Sequence, residues 1–349
     1  MAPDSRAGFA NDSVAYAGSR AARLGQMSPH VDSLAQIAGT ELIRHDGRPT
    51  PTFRQELRRI ANARNVITIV MLYAQTIALI ALAVRVGAWI WPLIMVAMGR
   101  THAQFASLMH EAAHRLLFSH RRVNDAVGRW ALGYPGFVST DAYRRVHMAH
   151  HRREFGPEEP DIALYQGYPV GRRSLGRKLW RDLRGSTGLR LLVAQFSELR
   201  RRERRVQVTA ARIIAVQATI ATAMTIAAGP LAYLLLWLVP FLTVWRVINR
   251  LRSIAEHGGL DENDDRRMTT HCVARQALWF RCVIGPYHLG YHLAHHVDAG
   301  IPWRNLPRYH RALADSGYLD GSYMYDSYPQ LWRALADGLP ERQTAHSST

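Results

Sequence analysis

The sequence predicts an all-α integral membrane protein: four transmembrane helices in two hairpins, with a cytosolic helical cap that carries clusters of histidine. Three observations predict it. Apolar residues gather into four runs that form two pairs, arginine is nearly confined to the segments outside those pairs, and histidines recur at helical spacing in three places.

The 349 residues are 48% hydrophobic and still carry a formal net charge of +17. Mean hydropathy is only −0.16, so apolar and charged residues must be segregated along the chain. Nearly all the basic charge is arginine, and Lys178 is the single lysine. Such a chain suits nucleic acid, anionic lipid or an acidic partner. Here the basic segments flank apolar spans, so membrane topology is the simpler account and nucleic acid is not expected. Cys272 and Cys282 are the only cysteines, which predicts no disulfide framework and a reducing compartment. The first forty residues lack an apolar core, so no signal peptide is expected.

Residues 1–50 are polar and rich in Gly, Ser and Ala, and are predicted to be poorly ordered. A basic amphipathic stretch, Phe53 to Ile60, leads into the first apolar run. The four predicted spans are 66–84, 88–109, 211–228 and 231–249. The first, Val66 to Val84, is about 28 Å long at 1.5 Å per residue, close to the hydrocarbon thickness. Arg85 to Gly87 makes a short turn into the second, and Gly229-Pro230 breaks the third from the fourth. Between the pairs, residues 119–209 hold 19 Arg plus Lys against 9 Asp plus Glu. Two stretches there, 174–184 and 189–205, place leucine, tryptophan and phenylalanine among arginines, as helices lying on a membrane surface do. Both hairpin tips are nearly free of charge. The positive-inside rule therefore puts the termini, the long loop and every histidine cluster in the cytoplasm. Trp89, Trp91, Trp237 and Trp245 read as interface anchors or lipid-facing residues. A tail follows at 336–349.

The histidine clusters are His110-Glu111-Ala112-Ala113-His114, His147-Met148-Ala149-His150-His151 and His292-Leu293-Ala294-His295-His296. Residues three and four apart share a helix face, so each cluster can aim its imidazoles at one point. Eight such rings exceed the four ligands of one tetrahedral zinc and suit two metal ions. His257, one to two turns past the fourth span, is a ninth candidate. Imidazole is a good ligand for iron, zinc, copper and nickel, so spacing alone says two first-row metals, with iron favoured. No catalytic residue separate from the metal ligands is expected. Glu111, Asp161 and Glu256 are candidates to support ligand rings through their outer N–H groups, as are the neighbouring acids of the stretch 157–161. His30, His45, His102, His120, His271, His288 and His310 are expected to be packing or surface residues, with His102 close enough to the first cluster to support it.

Two other classes compete. His110-Glu111-x-x-His114 also matches the zinc protease pattern with Glu111 as general base, but leaves the remaining histidines unexplained. A metal transporter would place ligands near the bilayer midplane, whereas these clusters are predicted outside the hydrocarbon.

The clusters resemble, in type, order and separation, those of the membrane fatty acid desaturase superfamily. The likeness extends to Tyr143-Arg144-Arg145 before His147, to Pro160-Asp161 after it, and to Gly300-Ile301-Pro302-Trp303-Arg304-Asn305-Leu306-Pro307 behind the last cluster. It covers roughly residues 60–320, within a predicted membrane domain of 51–335. The resemblance implies two irons at the cytosolic ends of four helices, bound by His110, His114, His147, His150, His151, His292, His295 and His296 with His257 completing the set. It implies dioxygen as co-substrate and an acyl-lipid, acyl-CoA or acyl carrier protein substrate into which a double bond is introduced; hydroxylases share the same clusters. No fused electron-transfer domain is visible, so ferredoxin or cytochrome b5 with its reductase is expected as external donor. Ala294 and Val297-Asp298-Ala299 depart from the usual pattern on the substrate side.

Overall fold

A computed structural model describes residues 25–156, 159, 161–197, 203–321 and 323–337. Among these the chain is helical, with only isolated bridges Ile43–Pro49 and Val273–Tyr325. The main helices are α1 (Pro51–Leu57), α2 (Asn62–Val86), α3 (Trp91–Ala113), α4 (Arg121–Val127), α5 (Thr140–Arg152), α6 (Arg172–Leu183), α7 (Ser186–Ser197), α8 (Arg204–Ala228), α9 (Leu234–His257), α10 (His292–Val297), α11 (Leu306–Asp315) and α12 (Tyr328–Asp337).

Three helices are long and apolar enough to cross a membrane: α2, α8 and α9, of 25, 25 and 24 residues. Both expected hairpin turns fall at glycines with left-handed backbone, Gly87 (φ 97°) after α2 and Gly229 (φ 90°) after α8. A Cβ at Gly229 would meet nothing within 4 Å, so conformation rather than space calls for glycine there. Pro92 then starts α3, where its missing N–H costs nothing.

The second expected span corresponds to α3, which differs in kind from the others. Of its 23 residues, 15 are buried by protein. It packs against α2, α5 and α9 and is the central helix of the bundle. Its polar side chains bond within the protein: Gln75 Nε2 on α2 donates to Gln104 Oε1 at 2.9 Å, and Arg100 Nη1 donates to the same oxygen at 2.8 Å. Leu93 and Val96 near its start are exposed, but from Met98 onward protein encloses the helix, and there it does not need the uniform apolarity of a lipid-facing one. Against α9 it crosses closely at Gly99, where a Cβ would lie 2.4 Å from Val244 Cβ.

Three sequence expectations need correction. Residues 25–50, expected to be poorly ordered, fold against the cap: Met27, Leu34 and Ile43 are buried, Met27 N donates to Gly259 O at 2.8 Å, and Arg267 Nη1 donates to Ala35 O at 2.9 Å. Their anchors are single apolar residues too widely spaced to show a period. Residues 1–24 and 338–349 lie outside the described residues, while 336–337 end α12 with Ala336 buried. Trp237 and Trp245 are buried in the core rather than facing lipid, whereas Trp89 is 79% exposed at a hairpin tip. Of the stretches expected to lie on a membrane surface, 174–184 falls in α6 and 189–197 in α7, with 198–202 outside the described residues; α6 and α7 show Trp180, Leu183, Leu189, Leu191 and Val193 on the outside and bury Leu175. Both cysteines are free.

Candidate metal centre

Three structural devices bring the histidines together. Helix α3 ends at His114, and α5 starts at Ser139, whose hydroxyl accepts from Ala142 N. Arg144 on α5 binds the end of α3, donating from Nε to Ala113 O at 2.8 Å and from Nη2 to Ala112 O at 2.9 Å, with Asp125 as its ion-pair partner at 2.6 Å. A cation at a helix C-terminus satisfies orphan carbonyls and meets the favourable end of the dipole. Arg144 therefore locks His147, His150 and His151 beside His110 and His114. The short α10 is held by its C-terminal Asp298, paired to Arg54 at 2.5 Å, and by the segment after it, where Trp303 N donates to Glu111 Oε1 at 3.0 Å. His257 ends α9 and donates from Nδ1 to Thr269 O at 2.8 Å.

All nine rings converge, in two groups. His110, His114, His147, His151 and His295 each offer a nitrogen within 4.8 Å of the others. His150, His257 and His296 form a second group, joined by His292 through Nε2 contacts of 3.0 Å to both His257 and His296. The groups share a wall where His151 and His296 stack at 4.3 Å.

The nitrogen geometry fits bound metal. His147 Nε2 lies 2.9 Å from His114 Nε2 and 3.0 Å from His151 Nε2, which itself lies 3.1 Å from His295 Nε2. A ring nitrogen carries either one proton or one lone pair, so it cannot hydrogen-bond two other ring nitrogens in this way. Two nitrogens about 2.1 Å from one metal and at right angles to each other would lie about 3.0 Å apart. His110 Nε2 is buried with no hydrogen-bond partner at all.

The outer nitrogens support the same orientation. His150 Nδ1 donates to Glu159 Oε2 at 2.8 Å, His296 Nδ1 to Glu154 Oε1 at 2.5 Å, and His292 Nδ1 lies 3.6 Å from Glu256 Oε1. A proton held on Nδ1 leaves the Nε2 lone pair free to ligate. Burial first, and neighbouring imidazoles second, push His114, His147, His151, His292 and His296 well below the ordinary histidine value, and His295 down to about 3. Neutral imidazole is the form that binds metal. At His150 burial pulls the same way, but the Glu159 carboxylate outweighs it and raises the value.

The expected supporting acids fare differently. Glu256 Oε1 stands 3.6 Å from His292 Nδ1 without hydrogen-bonding it. Glu111 is turned to the Trp303 N–H instead of a ligand ring, which also removes it from the place of a general base beside His110 and His114. Asp161 makes no hydrogen bond to an imidazole; it lines the cavity described next. Within 157–161, Glu159 is the acid that supports a ring, and 157, 158 and 160 lie outside the described residues. Glu154 was missed. Its signal was its place four residues after His150 and three after His151. The other histidines stay out of both groups: His102 Nε2 pairs with Trp237 O, His271 Nε2 with Gly258 O, and His120 Nδ1 caps α4.

A cavity of about 130 Å³ opens on both groups, walled by Tyr143, Asp161, Asn249, Arg252, Ser253 and Glu256. Tyr143 stacks on His147 at 5.0 Å. The arrangement can hold two cations behind a small polar chamber.

The sequence profile of a family described as fatty acid desaturase matches residues 86–330. The chain is also 25% identical over 275 residues to dihydrorhizobitoxine desaturase of Bradyrhizobium elkanii, covering 74% of this chain and 77% of that protein.

Proposed function

The chain belongs to the fatty acid desaturase family of membrane oxidoreductases, and from that premise we propose that it is an oxygen-dependent desaturase holding two irons. His110, His114, His147, His151 and His295 would hold one iron, and His150, His257, His292 and His296 the other. The observation that carries this reading is the convergence of nine rings, seven of which place Nε2 about 3 Å from the Nε2 of another, while His110 Nε2 is buried without a hydrogen bond. When bound, the irons supply activation of dioxygen and hydrogen removal from an unactivated methylene.

In the overall change two hydrogens leave adjacent carbons of the substrate as the single bond becomes double. Dioxygen takes them up with two protons and two electrons from an external donor such as ferredoxin or cytochrome b5, giving two waters. The protein's own groups do the positioning. Glu154, Glu159 and the Thr269 carbonyl fix ring tautomers, Arg144 fixes the spacing of α3 and α5, and the chamber limits where substrate carbon can stand. The family implies an alkyl chain of an acyl or lipid substrate in a membrane. We further propose four spans, with α3 as the enclosed one, in a membrane domain over 51–335 to which 25–50 is attached, and termini and centre in the cytoplasm. The arginine distribution supports that side.

Desaturation is favoured over hydroxylation by the relative's name. Metal analysis of purified protein should return about two irons per chain. Mass spectrometry of host metabolites, with and without expression, should show loss of two mass units; a gain of sixteen would replace desaturation by hydroxylation.

A further inference from the structure

Behind the chamber lies a second cavity of about 120 Å³ between α3 and α9, sharing Tyr143, Asn249 and Arg252 with the first. Two of its lining rings belong to an aromatic cluster: His102 contacts Trp237 and Phe241 at 4.7 and 5.4 Å, and Phe137 stacks on Phe241 at 4.4 Å. Neither void exceeds the 150 Å³ or so that accommodates a benzene molecule. An extended acyl tail has no room to run on past the centre in this direction.

The guanidinium groups on the wall of this cavity are short of acceptors. Arg246, Asn249 and Arg252 succeed one another at three-residue intervals, so they share one face of α9. Arg246 has no carboxylate partner among the described residues; its guanidinium rests on the Phe241 ring at 4.3 Å, and its Nε is buried without a hydrogen bond. Arg252 Nε stands 3.1 Å from Glu256 Oε1 but without hydrogen-bond alignment. His102 Nδ1 on the same wall is buried and unpaired too, but because Nε2 donates to the Trp237 carbonyl it is an acceptor and adds no donor. Arg250, between them in sequence, differs: it points away and is neutralised by Asp182 on α6. Buried donors left unpaired are costly, and an ionisable group within a membrane-spanning helix marks a functional site.

Resting on the desaturase reading above, we propose that this cavity binds the carboxylate of a small organic acid, held by Arg246 with Arg252 and Asn249, so that the carbons to be oxidised lie a few bonds away in the chamber beside the two histidine groups. The substrate is then a carboxylic acid whose head, not its tail, occupies this cavity.

The test uses full-length, iron-loaded protein in detergent, with thermal unfolding followed against hexanoate, hexanamide and palmitate. Hexanoate should stabilise and hexanamide should not. Arg246→Gln should weaken the apparent hexanoate affinity about tenfold or more, the loss of one charge-assisted hydrogen bond. Arg246→Lys should recover part of it, and both variants should keep wild-type iron content, which shows that they fold. Equal stabilisation by acid and amide, an unchanged Arg246→Gln, or palmitate binding that does not depend on Arg246 would overturn the proposal, as would a cavity that holds only water and responds to none of the three. Absence of iron from the wild-type protein would instead sink the desaturase reading.

Discussion

The two histidine groups are built from the same side chain and braced in different ways. In the four-ring group the outer nitrogens meet oxygen: Glu159 for His150, Glu154 for His296, the Thr269 carbonyl for His257 and, at 3.6 Å, Glu256 for His292. In the five-ring group no carboxylate among the described residues accepts from an imidazole. Its rings are held by contact with each other and by the α3–α5 clamp of Arg144. A carboxylate on Nδ1–H makes the ring more basic and partly offsets the charge of a cation. The difference teaches that the four-ring site is oriented by specific hydrogen bonds and the five-ring site by packing, so they should fail in different ways.

The largest effect is expected from removing a ring. His150→Ala should abolish oxidation and lower bound iron from about two per chain to about one or less, measured by metal analysis and product mass spectrometry. Full turnover by this variant would end the ligand assignment. Next, Glu159→Gln should cost about ten- to a hundredfold in metal affinity, because it replaces a charged acceptor by a neutral one on His150 Nδ1. Competitive chelator titration reads this directly, and only one of the two irons should become easier to strip.

Glu111→Ala should behave oppositely, keeping both irons and losing about 1–3 kcal/mol of stability by orphaning the Trp303 N–H. Denaturant unfolding with parallel metal analysis checks it, and retained oxidation would exclude a zinc protease that uses Glu111 as base. The smallest effect concerns histidines outside both groups. Burial holds His288 and His310 down to about 4, below the roughly 6.5 of an unfolded chain. Between those values the unfolded chain binds protons that the fold refuses, so their contribution to stability is present above about pH 6.5 and is lost as pH falls toward 4. The melting temperature of metal-free protein should drop over that range, and His310→Gln should flatten the slope slightly.

Much of this was legible along the chain. The histidine clusters announced themselves because three- and four-residue spacing is a property of one helix, and His257 stood out by its distance past an apolar run. The apolar runs made the helical class and the long apolar helices legible by the same local rule. The partners of the outer nitrogens were harder to see. Glu154 reaches His296 across 142 residues and Arg144 reaches back 31 to Ala113. Glu111 sits next to a ligand in sequence yet points to a residue 192 positions away. Nor does hydropathy reveal that α3 is enclosed, since a helix of mixed polarity can lie at a surface or at the centre of a bundle.

By itself the sequence determined which residues could be ligands and that the chain would be helical with runs long and apolar enough to cross a membrane, because periodicity and hydropathy are written in neighbouring residues. Only the tertiary structure decided that nine rings divide five to four, which acids brace them, and that Arg246 is left facing a cavity. Those outcomes depend on how separate helices cross, which is set by packing between residues remote along the chain.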